Sequence, residues 1–259
     1  MSDAGKPFDV FAYNSASWDR RVESGDMWTV PVSTEVIAAA RRGQWSIILT
    51  PTKPVPKHWF PPLKGCRLLA LGSGGGQQAP VLAAAGALVT TLDASLAQLA
   101  QDKRVAERDG LVIQLEQGNF ADLSRFADES FDLVVHPSSN CFAPEVRPVW
   151  RECFRVLVPG GRLMAGFVNP VAFAVNLYRE TAEDLRIVNK LPYADIAQAN
   201  LEKRLACGDT LEWGHTLEDQ IGGQTDAGFR IIGLYEDTQP GDPLTEFVPN
   251  HIATLAEKP

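Results

Sequence analysis

From Cys66 onward, short apolar runs alternate with amphipathic stretches, and the alternation predicts strands and helices in turn. Arg67 to Leu71 reads as a buried strand, and Gln78 to Ala85 as a helix whose first turn accommodates Pro80. Leu88 to Leu92 is the next strand. Ser95 then caps a helix reaching about Asp109, with Gln98 at the capping-box position. Val112 to Glu116 and Phe131 to Val135 supply two more strands. Val146, Val149, Trp150, Cys153, Phe154 and Leu157 are spaced by threes and fours, so one helix carries them on one face. Pro159, Gly160 and Gly161 are read as its stop, and Arg162 to Val168 as the strand that follows. This rhythm is the sign of βα units around a parallel sheet.

The flanks break the pattern. Thr34 to Arg42 reads as a short helix, and the prolines of Thr50 to Pro62 demand a loop or extended arm. Beyond Pro170 the alternation lapses until Leu217. The intervening stretch reads as an insertion over about 170–215, with helices near Ala172 to Asp184 and Tyr193 to Leu205. Leu217 to Ala227 is then a helix ended by Gly228, and Phe229 to Tyr235 and Ile252 to Ala256 are closing strands. The chain divides into an N-terminal lid and Pro-rich arm, 1–62, and a core, 63–259.

Composition narrows the class. The 24 Lys and Arg against 32 Asp and Glu leave a formal charge of −8, which argues against a protein that holds nucleic acid through a basic face. Hydrophobic residues make up 45% of the 259, enough for a sizeable core. No apolar run approaches the roughly 18 to 20 residues needed to cross a bilayer, so no membrane partner is expected. The N-terminus has neither a basic start nor an apolar core, which points to a soluble, cytoplasmic protein. Cys66, Cys141, Cys153 and Cys207 are scattered without metal-site spacing, so they read as buried or inert thiols and no metal is expected.

The candidate chemistry lies in Leu68 to Gln78, LLALGSGGGQQ, between a strand and a helix. Glycines let a ligand approach the backbone there, and the helix start offers unpaired N–H groups. Asp93 ends the second strand, where a carboxylate can accept from both ribose hydroxyls, so the pair points to an adenosine-containing cofactor. A dinucleotide fingerprint starting at Gly72 needs glycine at position 77, which is Gln77. Gly72, Gly74 and Gly76 instead give GxGxG, a spacing that resembles motif I of the class I S-adenosylmethionine-dependent methyltransferases. Gly118, Asn119 and Phe120 resemble that family's adenine-holding segment, FDLVV its fourth strand, and RVLVPGGR the turn before its fifth. The GGGQQ turn with WREC and RVLVPGG is also similar to a bacterial subgroup of the family.

The resemblance implies a Rossmann-like α/β fold: a seven-stranded, mostly parallel sheet with helices on both faces, an antiparallel last strand, an N-terminal lid and a helical cap insertion. It implies S-adenosylmethionine as cofactor, held by Gly72, Ser73, Gly74, Gly75, Gly76, Gln77, Gln78, Asp93, Ala94, Asn119, Phe120 and the backbone of His136. The family's frequent acidic residue two positions before Gly72 is Ala70 here, and its frequent aspartate is Asn119.

For the methyl acceptor, a small molecule fits the acidic composition. His136, Ser139 and Asn140 in HPSSN follow the fourth strand and so reach the carboxyl edge of the sheet. His136 has the intrinsic pKa of a general base, and is the catalytic candidate; the alternative is that it only lines the cofactor. Tyr13, Asn14 and Trp18 are candidate lid residues over the substrate, or else parts of an N-terminal helix packed on the core. His58 and Trp59 carry the same two readings in the Pro-rich arm. An NAD-dependent oxidoreductase and a noncatalytic S-adenosylmethionine sensor or scaffold remain as alternatives.

Overall fold

The computed structural model describes residues 8–176 and 179–259. Its helices are α1 (Val10–Ser24), α2 (Thr34–Arg41), α3 (Gln78–Ala84), α4 (Leu96–Asp109), α5 (Arg147–Val156), α6 (Val171–Ala174), α7 (Leu201–Cys207) and α8 (Gly223–Asp226). Its strands are β1 (Arg67–Leu71), β2 (Leu88–Asp93), β3 (Ile113–Gln117), β4 (Phe131–His136), β5 (Leu157–Val168), β6 (Tyr193–Ala194), β7 (Trp213–Gly214), β8 (Arg230–Asp237) and β9 (His251–Glu257).

Seven strands form one sheet in the order β3-β2-β1-β4-β5-β9-β8. The first five are parallel, and β9 runs antiparallel to both β5 and β8. The apolar run of β1 dictates its central place, because both of its faces are covered. Leu68 and Ala70 pack with Leu82, Val105 and Met164 on one face. Leu69 and Leu71 pack with Trp150, Cys153 and Leu163 on the other. Each fully buried Leu, Val or Met side chain among them contributes about 1.5–3 kcal/mol relative to exposure. The chain winds outward from β1 to β3 and then returns to β4, so a crevice opens where β1 and β4 diverge at their carboxyl ends.

Several expectations change. Helix α5 stops at Val156 because Leu157 is already extended and pairs with Phe131; Pro159 to Gly161 lie inside β5, where the register shifts, rather than ahead of it. The helix expected over Leu217 to Ala227 is present, but its first turns are wide and π-type, Glu218–Gly222, before it runs on into α8. The helical cap is largely irregular. Ala172 to Asp184 holds only the end of α6 and a single turn at Ala182–Asp184, with residues 177 and 178 outside the description. Tyr193 to Leu205 begins as a strand because Asp195 draws the chain to β7: its carboxylate accepts from Glu212 N–H and from the Tyr193 hydroxyl. The Pro-rich arm packs into the core through Val55 and Trp59, and Cys207 is exposed, unlike the three buried thiols.

Candidate functional site

A cavity of about 570 Å³ occupies the crevice at the carboxyl ends of the strands. Of the residues expected to hold the cofactor, Gly72, Ser73, Gly74, Gln77, Gln78, Asp93, Ala94, Asn119 and Phe120 line the cavity. Asp93 reaches it because β2 ends there. Burial pushes its carboxyl up to about 7, although the Ser95 N–H donates to it at 2.8 Å. A desolvated carboxylate of this kind suits a ligand that brings two hydroxyl donors, such as a ribose. Ser73 Oγ is buried with no hydrogen-bond partner among the described residues, a second group waiting for one. Both observations fit an adenosine-bearing cofactor.

The glycine turn is braced from behind. Gln98 Oε1 accepts the Gly75 N–H and Asp102 Oδ1 the Gly76 N–H, both at 2.8 Å. Gly75 and Gly76 therefore face α4 and Pro31 rather than the cavity, correcting their expected place in the ligand wall. A β-carbon on Gly75 would lie 2.4 Å from the Gln98 carbonyl oxygen, which is why only glycine fits there. Gln98 is likewise not the reciprocal capping-box partner. Its N–H donates to Ser95 Oγ, but its amide side chain is committed to the turn, and Asp93 takes the Ser95 N–H. Gln77 Nε2 donates to the carbonyls of Met27 and Val30, and Gln78 Oε1 accepts the Ile48 N–H, so the two glutamines tie loops down.

Helix α1 roofs the cavity. Asn14 and Trp18 line it, Trp18 lying edge-on to Phe142 at 5.4 Å. Asn14 is buried and bonds the backbone of Leu211 through both its oxygen and its nitrogen. Ser15 Oγ donates to Ala94 O, and Asp19 accepts from Ser95 Oγ and Ala97 N–H. Tyr13 points elsewhere, its hydroxyl on Asp209 O, which corrects its expected contact with substrate.

Four other expectations meet different surroundings. His136 is fully buried behind the wall, between Phe120 and Trp150, with Nδ1 3.1 Å from Leu71 O. Burial lowers its pKa to about 4. It does not border the cavity, and for that reason it is not placed to act as the base or to line the cofactor. Asn140 is spent on Gln220, and its carbonyl receives His215 Nε2, so it braces the loop instead of facing a ligand. His58 is exposed on the far side of the arm, and Trp59 packs against Tyr235 and Gly233. Ser139 does line the cavity, its hydroxyl donating to Pro137 O.

Sequence reasoning missed the rest of the wall. Thr50 and Pro51, the start of the arm, line it because Asp237 grips Thr50, Thr52 and Lys53. Glu212, from the insertion, enters beneath α1; burial, with Asp195 nearby, pushes its carboxyl up to about 7. His251, the first residue of β9, closes the end beyond Val168. Nothing in a short insertion or a closing strand marks such residues until the fold brings them to the crevice.

A family profile described as a methyltransferase domain matches residues 69–165. A Bacillus subtilis protein named as an uncharacterized methyltransferase is 50% identical over 252 residues, covering 96% of this chain and 98% of its own. A Penicillium fellutanum methyltransferase is 28% identical over 196 residues, 71% of this chain and 55% of its own. Among solved structures, an S-adenosylmethionine-dependent methyltransferase from Mesorhizobium loti superposes with a TM-score of 0.61 at 21% identity, covering 78% of this chain and 94% of that one.

Proposed function

Since the chain belongs to the class I S-adenosylmethionine-dependent methyltransferases, we propose that its crevice holds that cofactor together with a small-molecule methyl acceptor. The observation that carries the reading is the single cavity running from Asp93 to His251. Its volume of about 570 Å³ lies within the roughly 300–1,000 Å³ of small-molecule sites, and α1 roofs it against larger ligands. In this reading Asp93 accepts from the ribose hydroxyls, Ala94, Asn119 and Phe120 border the adenine, and Gly72 to Gly74 with Ser73 Oγ border the methionine portion.

When bound, the cofactor supplies a methyl group already activated by the sulfonium charge. The protein's share is then alignment and exclusion of water, to which Trp18, Phe142 and Ser139 on the wall contribute. Helix α1 serves as the lid in this account, and the Ala94 and Ser95 contacts hold it shut. No helix among the described residues is long and apolar enough to cross a membrane. We place the enzyme in the cytoplasm, acting without nucleic acid, on the strength of its acidic charge and the size of its cavity.

Calorimetry with S-adenosylhomocysteine tests the cofactor, and methyl-labelled S-adenosylmethionine incubated with a deproteinised cell extract tests the acceptor. Label in a low-molecular-mass product is expected. Binding of NAD with none of S-adenosylhomocysteine would overturn the assignment. Binding without any transfer would leave a sensor in place of an enzyme.

A further inference from the structure

His251 sits where β9 begins, opposite Val168 of β5 and Asp237 of β8, on the cavity wall away from Asp93. Its Nδ1 lies 2.9 Å from Asn250 Oδ1. The orientation of that amide is fixed from both sides. Its oxygen accepts the Gln239 N–H at 2.8 Å, and its nitrogen donates to Asp242 Oδ2 at 2.9 Å. Asp242 in turn is clamped by Arg179 through two bonds of 2.7 Å. An amide oxygen that already faces an N–H can only accept, so Nδ1 must carry the proton and Nε2 must carry the lone pair. Nδ1 makes the one hydrogen bond of the ring among the described residues, none is made by Nε2, and His251 is among the residues that line the cavity. The arrangement is that of a base whose tautomer is set by an orienting partner, itself held by a third group.

We propose that His251 is the proton acceptor of the methyl transfer, and that the methyl acceptor therefore carries an O–H, N–H or S–H group at the Val168–Gln239 end of the cavity. The proposal rests on the methyltransferase reading of the same site. As the acceptor atom forms its bond to the methyl carbon, the carbon–sulfur pair leaves on sulfur as a neutral thioether. The acceptor's proton passes to Nε2 and later to water. Burial keeps the free imidazole neutral, with a pKa near 4, while the carboxylates of Asp237 and Asp242 face the imidazolium once the proton arrives. Glu212 and Glu145 also line the wall, but Glu212 lies on the insertion under α1 and Glu145 on the loop ahead of α5, on different elements from the Val168 end.

Two measurements decide. Nitrogen-15 NMR of histidine-labelled protein, with the signal assigned through His251→Gln, should find the proton on Nδ1 at neutral pH; a proton on Nε2 overturns the proposal without any acceptor being needed. The second uses methyl-labelled S-adenosylmethionine and a deproteinised Bacillus subtilis extract as the acceptor source. His251→Gln and His251→Asn should lose about 100-fold or more of the incorporation while S-adenosylhomocysteine affinity stays within threefold. Near-normal incorporation by both variants overturns the proposal alone, as does a loss confined to Glu212→Gln. Wild-type protein that binds S-adenosylhomocysteine yet labels nothing overturns the proposal together with the enzyme reading, leaving a sensor. Failure of S-adenosylhomocysteine to bind brings down the underlying reading instead.

Discussion

With Asp93 as the proposed ribose acceptor, cofactor affinity should depend on pH. In the free protein its carboxyl is raised to about 7, chiefly by burial and also by Asp19, while the Ser95 N–H pulls the other way. Ribose hydroxyls donating to the carboxylate favour the ionised form, so binding must expel whatever proton is present. At pH 6, about one unit below that pKa, roughly one molecule in eleven is ionised, which weakens binding about tenfold, or ~1.4 kcal/mol, relative to the ionised protein. The affinity should rise through pH 7 and level off above about pH 8. Calorimetry with S-adenosylhomocysteine in buffers of different ionisation enthalpy reads both the slope and the proton, which should approach one per ligand at pH 6. Asp93→Asn should bind about 1–3 kcal/mol more weakly at pH 8, with the slope removed. A flat affinity between pH 5.5 and 8 would refute the reasoning. So would a slope that survives in Asp93→Asn and disappears in Glu212→Gln, whose carboxyl titrates in the same range.

Three further outcomes are expected. Asp102 is held up at about 8, first by burial, so the stability it lends is complete below about pH 4 and is lost as pH rises toward 8. Asp102→Asn keeps an oxygen for the Gly76 N–H, and should flatten the fall of Tm between pH 5 and 8; melts of equal slope would contradict this. Asp237 is buried against its charge, but Thr52, Lys53 and Thr50 donors hold its carboxyl far below the ordinary value. Asp237→Ala should cost about 3 kcal/mol in urea titrations, a deficit that is constant above about pH 4 and narrows in stronger acid; an unchanged midpoint would count against the clamp. Asn14→Ala removes both bonds to Leu211 and should expose α1 amides to hydrogen exchange while α5 stays protected; equal protection of α1 would show that it is held by other contacts.

The elements built by local rules were legible in the chain. Leu68 to Leu71 read as a central strand because every position is apolar, and the glycines and Asp93 meet at one cavity because β1 and β2 deliver them to the same edge. The insertion was opaque for the opposite reason. Its conformation follows from distant partners, Asp195 to Glu212 and Arg179 to Asp242, which leave no periodic trace. The places of His136 and His251 follow from topology. One ends a parallel strand, which in sequence points it to the cleft, yet Phe120 and Trp150 enclose it. The other opens an antiparallel strand whose first residue, not its last, meets the carboxyl edge of β5.

The contacts that close the roof also brace the proposed nucleoside seat. Asp19 of α1 accepts from Ser95 Oγ and Ala97 N–H, Ser95 caps the Gln98 N–H, and Gln98 holds the Gly75 N–H. Lifting α1 therefore strips the first turn of α4 of a cap, and α4 is what keeps the glycine turn in shape. Departure of spent nucleoside and loosening of its grip become one event, so the residence time of the product and the opening rate of the roof should change together under any substitution at Asp19.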